Sequence, residues 1–375
     1  MTESRRLRGH QATATCCIAS RDRPGLVATS AEDGCICWFD MRCKDVQLVM
    51  DVSNEPVSSV CFNSGNENII YVSTGNVVKC FDVNMLAENS WKPLEIYSYN
   101  KEEINQVTCN SKSSFLAAAD DGAEIKIIDI RQQCVFKTLR AGHTSICSSV
   151  QFIPWRPWEV ITGGLDSKLI TWDFSKGRPS KIVDFGLPDM SSGSNAGQCL
   201  NPAFVHSIKV PDVDMLDKVG KICVVAKGDG VIDVIDMESE LAAIKTKSST
   251  KSRKGTHSVS KASLLVDGGV NDEKERKWLH LNYSLGGHTA AVSCVAFSLF
   301  GEKGKFLVSG GNDKLVKVWD CSRCLDSGQT GGNNELLHLN INLSKKVNWL
   351  CTTPAESDNL VVCDTTKVVK VYSVS

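Results

Sequence analysis

Three times along this chain a histidine is followed by a hydroxyl residue and then by an aspartate, the side-chain types of a nucleophilic triad. The sets are His10, Thr29 and Asp33; His143, Thr162 and Asp166; and His288, Ser309 and Asp313. In a triad the imidazole takes the hydroxyl proton and the carboxylate orients the imidazole, so such residues could cleave an acyl bond. Their recurrence argues otherwise. Each Asp stands four residues after its hydroxyl, an aromatic residue stands six further on (Phe39, Trp172, Trp319), and a second Asp closes the segment (Asp40, Asp173, Asp320). A Gly-His pair opens each copy, at Gly9-His10, Gly142-His143 and Gly287-His288. An active site is needed once, whereas a device that returns in each unit of a repeat belongs to the framework. Buried together, imidazole, hydroxyl, carboxylate and indole can satisfy one another and avoid about 1–3 kcal/mol for each orphaned group.

The elements that must position such a cluster are short strands. Side chains alternate faces along a strand, so a hydroxyl on one strand, an Asp in the next hairpin turn and a Trp on the following strand converge beside a His expected on the unit's first strand. A repeat of about 40–45 residues with Gly-His near its start and Trp-Asp near its end resembles the WD repeat, which implies an all-β, seven-bladed propeller of four-stranded blades. The count of seven comes from strand-end aspartates at Asp40, Asp82, Asp129, Asp173, Asp236 and Asp320, with Val371-Tyr372-Ser373 as the seventh equivalent. The clearest repeats cover residues 9–50, 142–175 and 287–322, and the other four blades are degenerate. In blade one Phe39 has no N–H to donate, so its network is expected to be one member short or closed through water.

The run Ser4-Arg-Arg-Leu-Arg-Gly9-His10 is similar to the segment from Phe136 to His143, an outer strand feeding the next blade. The N-terminal strand is therefore expected to close the ring on blade seven and remove its exposed edge. The whole chain reads as one domain, with a surface loop over 187–200 and a Lys/Ser-rich insertion over 245–277 that is too polar to order itself.

Composition narrows the function classes. With 375 residues, 42% hydrophobic and 23% charged, the chain can bury a large core, and its net charge of −1 gives no global attraction to nucleic acid or membrane. No apolar run reaches the length of a membrane span and no apolar segment follows the N-terminus, so an intracellular location is expected, in cytoplasm, nucleus or both. The 17 cysteines lie mostly in apolar runs and read as reduced thiols, and Cys321-Ser-Arg-Cys324 lacks the second pair a zinc site would need. No catalytic residue, metal or cofactor is expected. His206 reads as a packed strand histidine, and the protein as a non-enzyme, since no phosphate-cradling loop or Gly-x-Ser-x-Gly elbow is present.

What the surface offers is an arginine two residues past the strand-end Asp. Asp40-Met41-Arg42 in blade one and Asp129-Ile130-Arg131 in blade three place a guanidinium at the turn leaving the third strand, where the Asp can orient it toward partner carboxylates or carbonyls. This element resembles the Asp-x-Arg motif of WD-repeat substrate receptors of cullin-RING (cullin-4 type) ubiquitin ligases, which dock on the ligase's propeller-containing adaptor. Lys126 departs from the apolar residue usual before the second motif, and Asn84 replaces the Arg in blade two. The run from Ser145 to Phe152, then Arg156-Pro157, Gly163-Gly-Leu-Asp166 and Asn201 to Ser207, is similar to the WD-repeat-containing protein 53 family. That resemblance implies a non-enzymatic scaffold, monomeric within a complex, with protein partners and a candidate role as substrate receptor. The alternatives are a scaffold of another complex, a propeller-based hydrolase, or a nucleic-acid binder acting through the basic insertion.

Overall fold

The computed structural model describes residues 4–43, 45–84, 91–187, 199–238, 278–321 and 336–374. Among these, 28 strands, numbered β1 to β28 along the chain, form seven four-stranded antiparallel sheets arranged as the blades of a ring. The inner strands, one per blade, are β2 (Ala14–Ala19), β6 (Val57–Asn63), β10 (Ile104–Cys109), β14 (Cys147–Phe152), β18 (Val205–Lys209), β22 (Val292–Phe297) and β26 (Val347–Thr352). Blade seven is completed from the other end of the chain. β1 (Arg5–Leu7) pairs with β28 (Val369–Tyr372), setting Arg5 against Val371 and Leu7 against Val369, and Leu7 is fully buried.

Each blade is covered by a neighbour on both faces, so its middle strands carry apolar residues without alternation. β19 (Ile222–Lys227) and β23 (Phe306–Gly311) are buried at every position. The core is correspondingly divided into seven apolar clusters, one between each pair of adjacent blades, with the last joining blade seven to blade one through Leu7, Val369, Cys17 and Phe39. The ring is thus held by blade-to-blade burial.

A second device links the blades around the central channel. Every inner strand has a register shift at its second residue, a β-bulge that re-aims that side chain. The re-aimed side chain donates to the first carbonyl of the next inner strand: Thr15 to Val57 (2.6 Å), Ser58 to Ile104 (2.5 Å), Asn105 to Cys147 (3.3 Å), Ser148 to Val205, Ser293 to Val347 (2.7 Å) and Asn348 to Ala14 (3.0 Å). In blade five that residue is His206, for which no such bond is found among the described residues.

Two rims follow from the pairing. The third strand of each blade ends beside the connection between its first and second strands, since Leu26 pairs with Asp40, Phe115 with Asp129 and Glu159 with Asp173. The hairpin between second and third strands lies at the opposite rim. Of the expected 187–200 loop, residues 188–198 lie outside the described residues, as does the whole of 245–277. No helix among the described residues is long and apolar enough to cross a membrane.

Candidate interaction sites

The repeated histidine clusters occupy one rim. In blade four the Trp172 indole N–H donates to the Thr162 hydroxyl (2.8 Å), the hydroxyl meets His143 Nε2 (2.8 Å), and His143 Nδ1 faces the two Asp166 oxygens (3.0 and 3.2 Å). Asp166 also accepts the backbone N–H groups of Thr144 (2.9 Å) and Lys168 (3.2 Å). Blade six repeats this with Trp319, Ser309, His288 and Asp313, at 3.0 Å from indole to hydroxyl, 2.9 Å from hydroxyl to imidazole, and 2.9 and 3.0 Å from imidazole to carboxylate. One assignment of protons satisfies every member: indole to hydroxyl, hydroxyl to Nε2, and Nδ1–H to carboxylate. That requires a neutral imidazole, and burial holds His288 below the usual histidine range despite the nearby Asp313. For Asp166 and Asp313 burial alone would push the carboxyl up, but the hydrogen bonds from histidine and from backbone N–H groups outweigh it and hold both below the usual carboxylate range.

The histidines are not on the first strand, as the spacing suggested, but in the loop entering it: His143 stands four residues before β14. A strand position would have spent the imidazole's reach on one face, whereas the loop lets it lie under the next hairpin. Two glycines make room. A Cβ on Gly142 would lie 2.4 Å from the Trp172 ring, and one on Gly164 would lie 2.7 Å from both His143 Nδ1 and Asp166 Oδ1.

Blade one keeps Thr29 against His10 Nε2 at 2.8 Å, but Phe39 supplies no donor to Thr29, and His10 Nδ1 stands 3.4 and 3.3 Å from the Asp33 oxygens. Cys37 Sγ fills in at 3.6 Å from Nδ1, and burial pushes its thiol up to about 12. Two degenerate blades hold substitutes that spacing did not reveal. In blade three Asn100 takes the histidine's place and donates to Asp120 (2.8 Å), while Ala118 and Ile128 stand where the hydroxyl and the indole would be, so donor and acceptor are removed together. Blade five buries Lys227 between Asp233 (3.0 Å) and Asp229 (3.3 Å), with His280 Nδ1 at 2.6 Å from Asp233.

The opposite rim carries the arginines. Arg42 lays its guanidinium across both oxygens of Asp40, Nε at 3.0 Å and Nη2 at 2.6 Å, while its backbone N–H also bonds Asp40 (2.9 Å). These hydrogen bonds hold the Asp40 carboxyl below its usual range, and the Arg42 side chain remains 83% exposed. Arg5 of the closing strand donates to the carbonyl of Met41, fastening this turn to blade seven. The expected clamp does not form in blade three: Asp129 accepts the backbone N–H of Gln132 (2.8 Å), and no bond joins it to the Arg131 side chain among the described residues. The aspartate there is engaged three residues on rather than two, which turns Arg131 away as an exposed, unclamped cation.

His206 is half-buried on β18, and burial lowers its affinity for a proton. The cysteines among the described residues are free thiols, and no His, Cys, Asp or Glu cluster among those residues could hold a metal ion. Cys324 lies outside them.

A ring of seven four-stranded sheets with His–Ser/Thr–Asp–Trp networks on one rim defines a WD-repeat β-propeller, a class of protein-interaction scaffold. The family model of the WD domain, G-beta repeat, matches residues 1–40, 133–173 and 280–320, the segments around blades one, four and six. The chain thus carries WD repeats in those segments, and it resembles WD repeat-containing protein 53: it is 26% identical over 394 residues to the WD repeat-containing protein 53 homolog of Dictyostelium discoideum, covering 98% of this chain and 94% of that protein. A shorter likeness, 26% over 166 residues, covers 42% of this chain and 20% of the GATOR2 complex protein WDR24 of Danio rerio. The WD40 β-propeller domain of Doa1 superposes with a TM-score of 0.66 over 100% of this chain and 98% of that one, at 14% identity.

Proposed function

We propose that this propeller is a substrate receptor of a cullin-RING ubiquitin ligase of the cullin-4 type, docking on the propeller-containing adaptor through the Asp40-Met41-Arg42 turn. The observation that carries this reading is the Arg42 guanidinium, immobilised by both Asp40 oxygens yet open to solvent. A planar cation already held in one orientation loses little freedom when it meets a carboxylate or carbonyl of a partner. Arg131 enters as a second contact, without a fixed orientation of its own. The protein works inside the cell, brings targets to the ligase through its remaining surface, and performs no chemistry itself.

The test is adaptor binding by purified full-length protein, compared among wild type, Arg42→Ala, Arg131→Ala and the double variant. Arg42→Ala is expected to weaken binding at least about tenfold and Arg131→Ala by less, with melting temperatures unchanged. Wild-type affinity in the double variant removes the receptor reading and leaves a scaffold of other partners.

A further inference from the structure

The rim that carries Arg42 has a second feature, at the seam between blades three and four. The connection after β14 reads Ile153-Pro-Trp-Arg-Pro-Trp158 and folds as two consecutive turns, Arg156 N–H to the Ile153 carbonyl (2.9 Å) and Glu159 N–H to the Arg156 carbonyl (3.0 Å). Each turn has proline at its second position and tryptophan at its third, so the backbone is preset by two fixed φ angles. Arg156 braces the loop from below, bonding Glu159 (3.1 Å) and the Met237 carbonyl of blade five (3.2 Å). Trp158 is held out on this rigid support.

Blade three meets it with aromatic rings. Phe115, Phe136, Trp158 and Phe174 lie within 5.0 to 6.2 Å of one another, centroid to centroid. Phe174 is fully buried as their floor, yet Trp158 is 48% and Phe136 37% exposed. Phe136 is the extra residue of a bulge on β13 (Cys134–Leu139), and the equivalent bulges of blades one, four and six carry Gln47, Ser180 and His338. A position that is polar in those three blades is here a phenyl ring turned to solvent. The four connections around the patch, residues 110–114, 130–133, 153–158 and 174–177, contain Lys112, Arg131, Arg156 and Lys176 and no acid. Arg156 and Lys176 are paired with Glu159 and Asp173 at the roots of their loops, whereas Lys112 and Arg131 are exposed, and Lys137 lies 6.0 Å over the Phe136 ring.

We propose that this seam is a docking surface for a linear protein segment with an aliphatic or aromatic anchor beside carboxylates. The anchor lies on Trp158 and Phe136, and the carboxylates meet Lys112, Arg131 and Lys137. Rigid exposed tryptophan bordered by cations is the composition of an interface centre, where aromatic and arginine residues dominate binding. Trp158 and Phe136 are stacked on each other at 29°, forming one apolar floor rather than separate faces between which bases could insert. The proposal rests on the scaffold reading but not on adaptor docking: it shares the exposed Arg131 with that reading, whereas Trp158, Phe136, Lys112 and Lys137 take no part in it.

The experiment selects a random twelve-residue peptide phage library on the full-length protein. Synthetic copies of the enriched peptides are then measured against wild type, Trp158→Ala, Phe136→Gln, Lys112→Glu with Lys137→Glu, and Arg42→Ala. Enriched peptides are expected to pair Leu, Phe or Trp with Asp or Glu, and to bind about tenfold or more weakly to the Trp158 and charge-reversed variants. Phe136→Gln, which installs the residue blade one carries at its bulge, should weaken them while leaving the melting temperature unchanged. Arg42→Ala should bind them as wild type does, so that loss of adaptor docking and loss of this site are separate outcomes. The proposal is overturned by absence of enrichment, by peptides indifferent to both Trp158→Ala and Phe136→Gln, or by an oligothymidylate that binds the same seam and loses affinity in Trp158→Ala.

Discussion

Blades four and one contain the same histidine, threonine and aspartate, and differ in the side chains packed against them. Trp172 lets every polar atom in blade four take part in a single chain of hydrogen bonds, with imidazole and carboxylate at 3.0 Å. Phe39 leaves Thr29 without a donor in blade one, and the corresponding separation is 3.4 Å, with Cys37 sulfur drawn against the imidazole. The looser network of blade one thus comes with two changes, the missing indole and a thiol where blade four has Ile170. Polar groups inside a propeller come as sets, and blade three shows the complementary solution, in which hydroxyl and indole are both replaced by the apolar Ala118 and Ile128. A partial set is the costly state.

The largest effect expected concerns the seam beside blade one rather than its interior. Deleting residues 1–8 removes Leu7 from the blade seven to blade one core, uncovers the edge of β28, and frees the Asp40 turn from Arg5. Burial of Leu7 alone contributes roughly 1.5–3 kcal/mol, so the loss should exceed about 3 kcal/mol and show as a lowered denaturant midpoint. An unchanged midpoint would mean that the ring closes by other contacts. Next in size, Asp166→Ala strands His143 and two backbone N–H groups and is expected to cost about 1–3 kcal/mol, while Asp33→Ala, whose imidazole contact is already long, should cost less. Equal losses would show that the indole has no influence on the carboxylate.

Exchanging the rings sharpens this. Trp172→Phe is expected to cost roughly 1–2 kcal/mol, because it both removes a buried donor and leaves unfilled space over Gly142. Phe39→Trp should leave stability unchanged or raise it, since the new N–H meets an acceptor that now has none. Thermal unfolding of the two variants decides it, and a destabilised Phe39→Trp would mean that the space over Gly9 is already filled, where a Cβ on that glycine would lie 2.9 Å from the Cys37 sulfur.

How much of this could be read beforehand follows from the same contrast. The ring, its seven blades and the closing strand were legible because Gly-His, the turn Asp and the strand-end Asp are polar marks at fixed spacing. Blade five was not, because Lys227, Asp229 and Asp233 come together through strand register with no spacing shared by other blades. Asp129-Ile-Arg131 looks equivalent to Asp40-Met-Arg42 as letters, yet one carboxylate caps a turn two residues on and the other three, which decides where the guanidinium goes. The double Pro-Trp turn is written in the sequence from Ile153 to Trp158, but only its Arg156-Pro157 enters the sequence reading, as a mark of family resemblance. Its partners Phe115 and Phe136 come from the preceding blade, and only packing brings them to Trp158.

The smallest effect expected is on the pH profile, and it follows from the protons that the networks require. Burial lowers the affinity of His10 and His288 for protons in the folded state, against the opposing pull of Asp33 and Asp313. The unfolded chain, with histidines titrating near about 6.5, takes up protons that the folded chain refuses, so acid favours unfolding. The contribution of the neutral imidazoles is complete above that pH and is lost as the pH falls below it toward the depressed folded value. The carboxyls of Asp166 and Asp313 are also held low when folded, so their contribution survives this range and is lost only in stronger acid. Stability by chemical denaturation should therefore decline between about pH 7 and pH 5, and again below about pH 4. Replacing His10 and His288 by Asn, the residue that blade three places at this position, should flatten the first decline and leave the second. If the double variant retains the full slope between pH 7 and 5, the histidine networks are not what acid attacks first, and another partly buried base such as His206 would carry that loss.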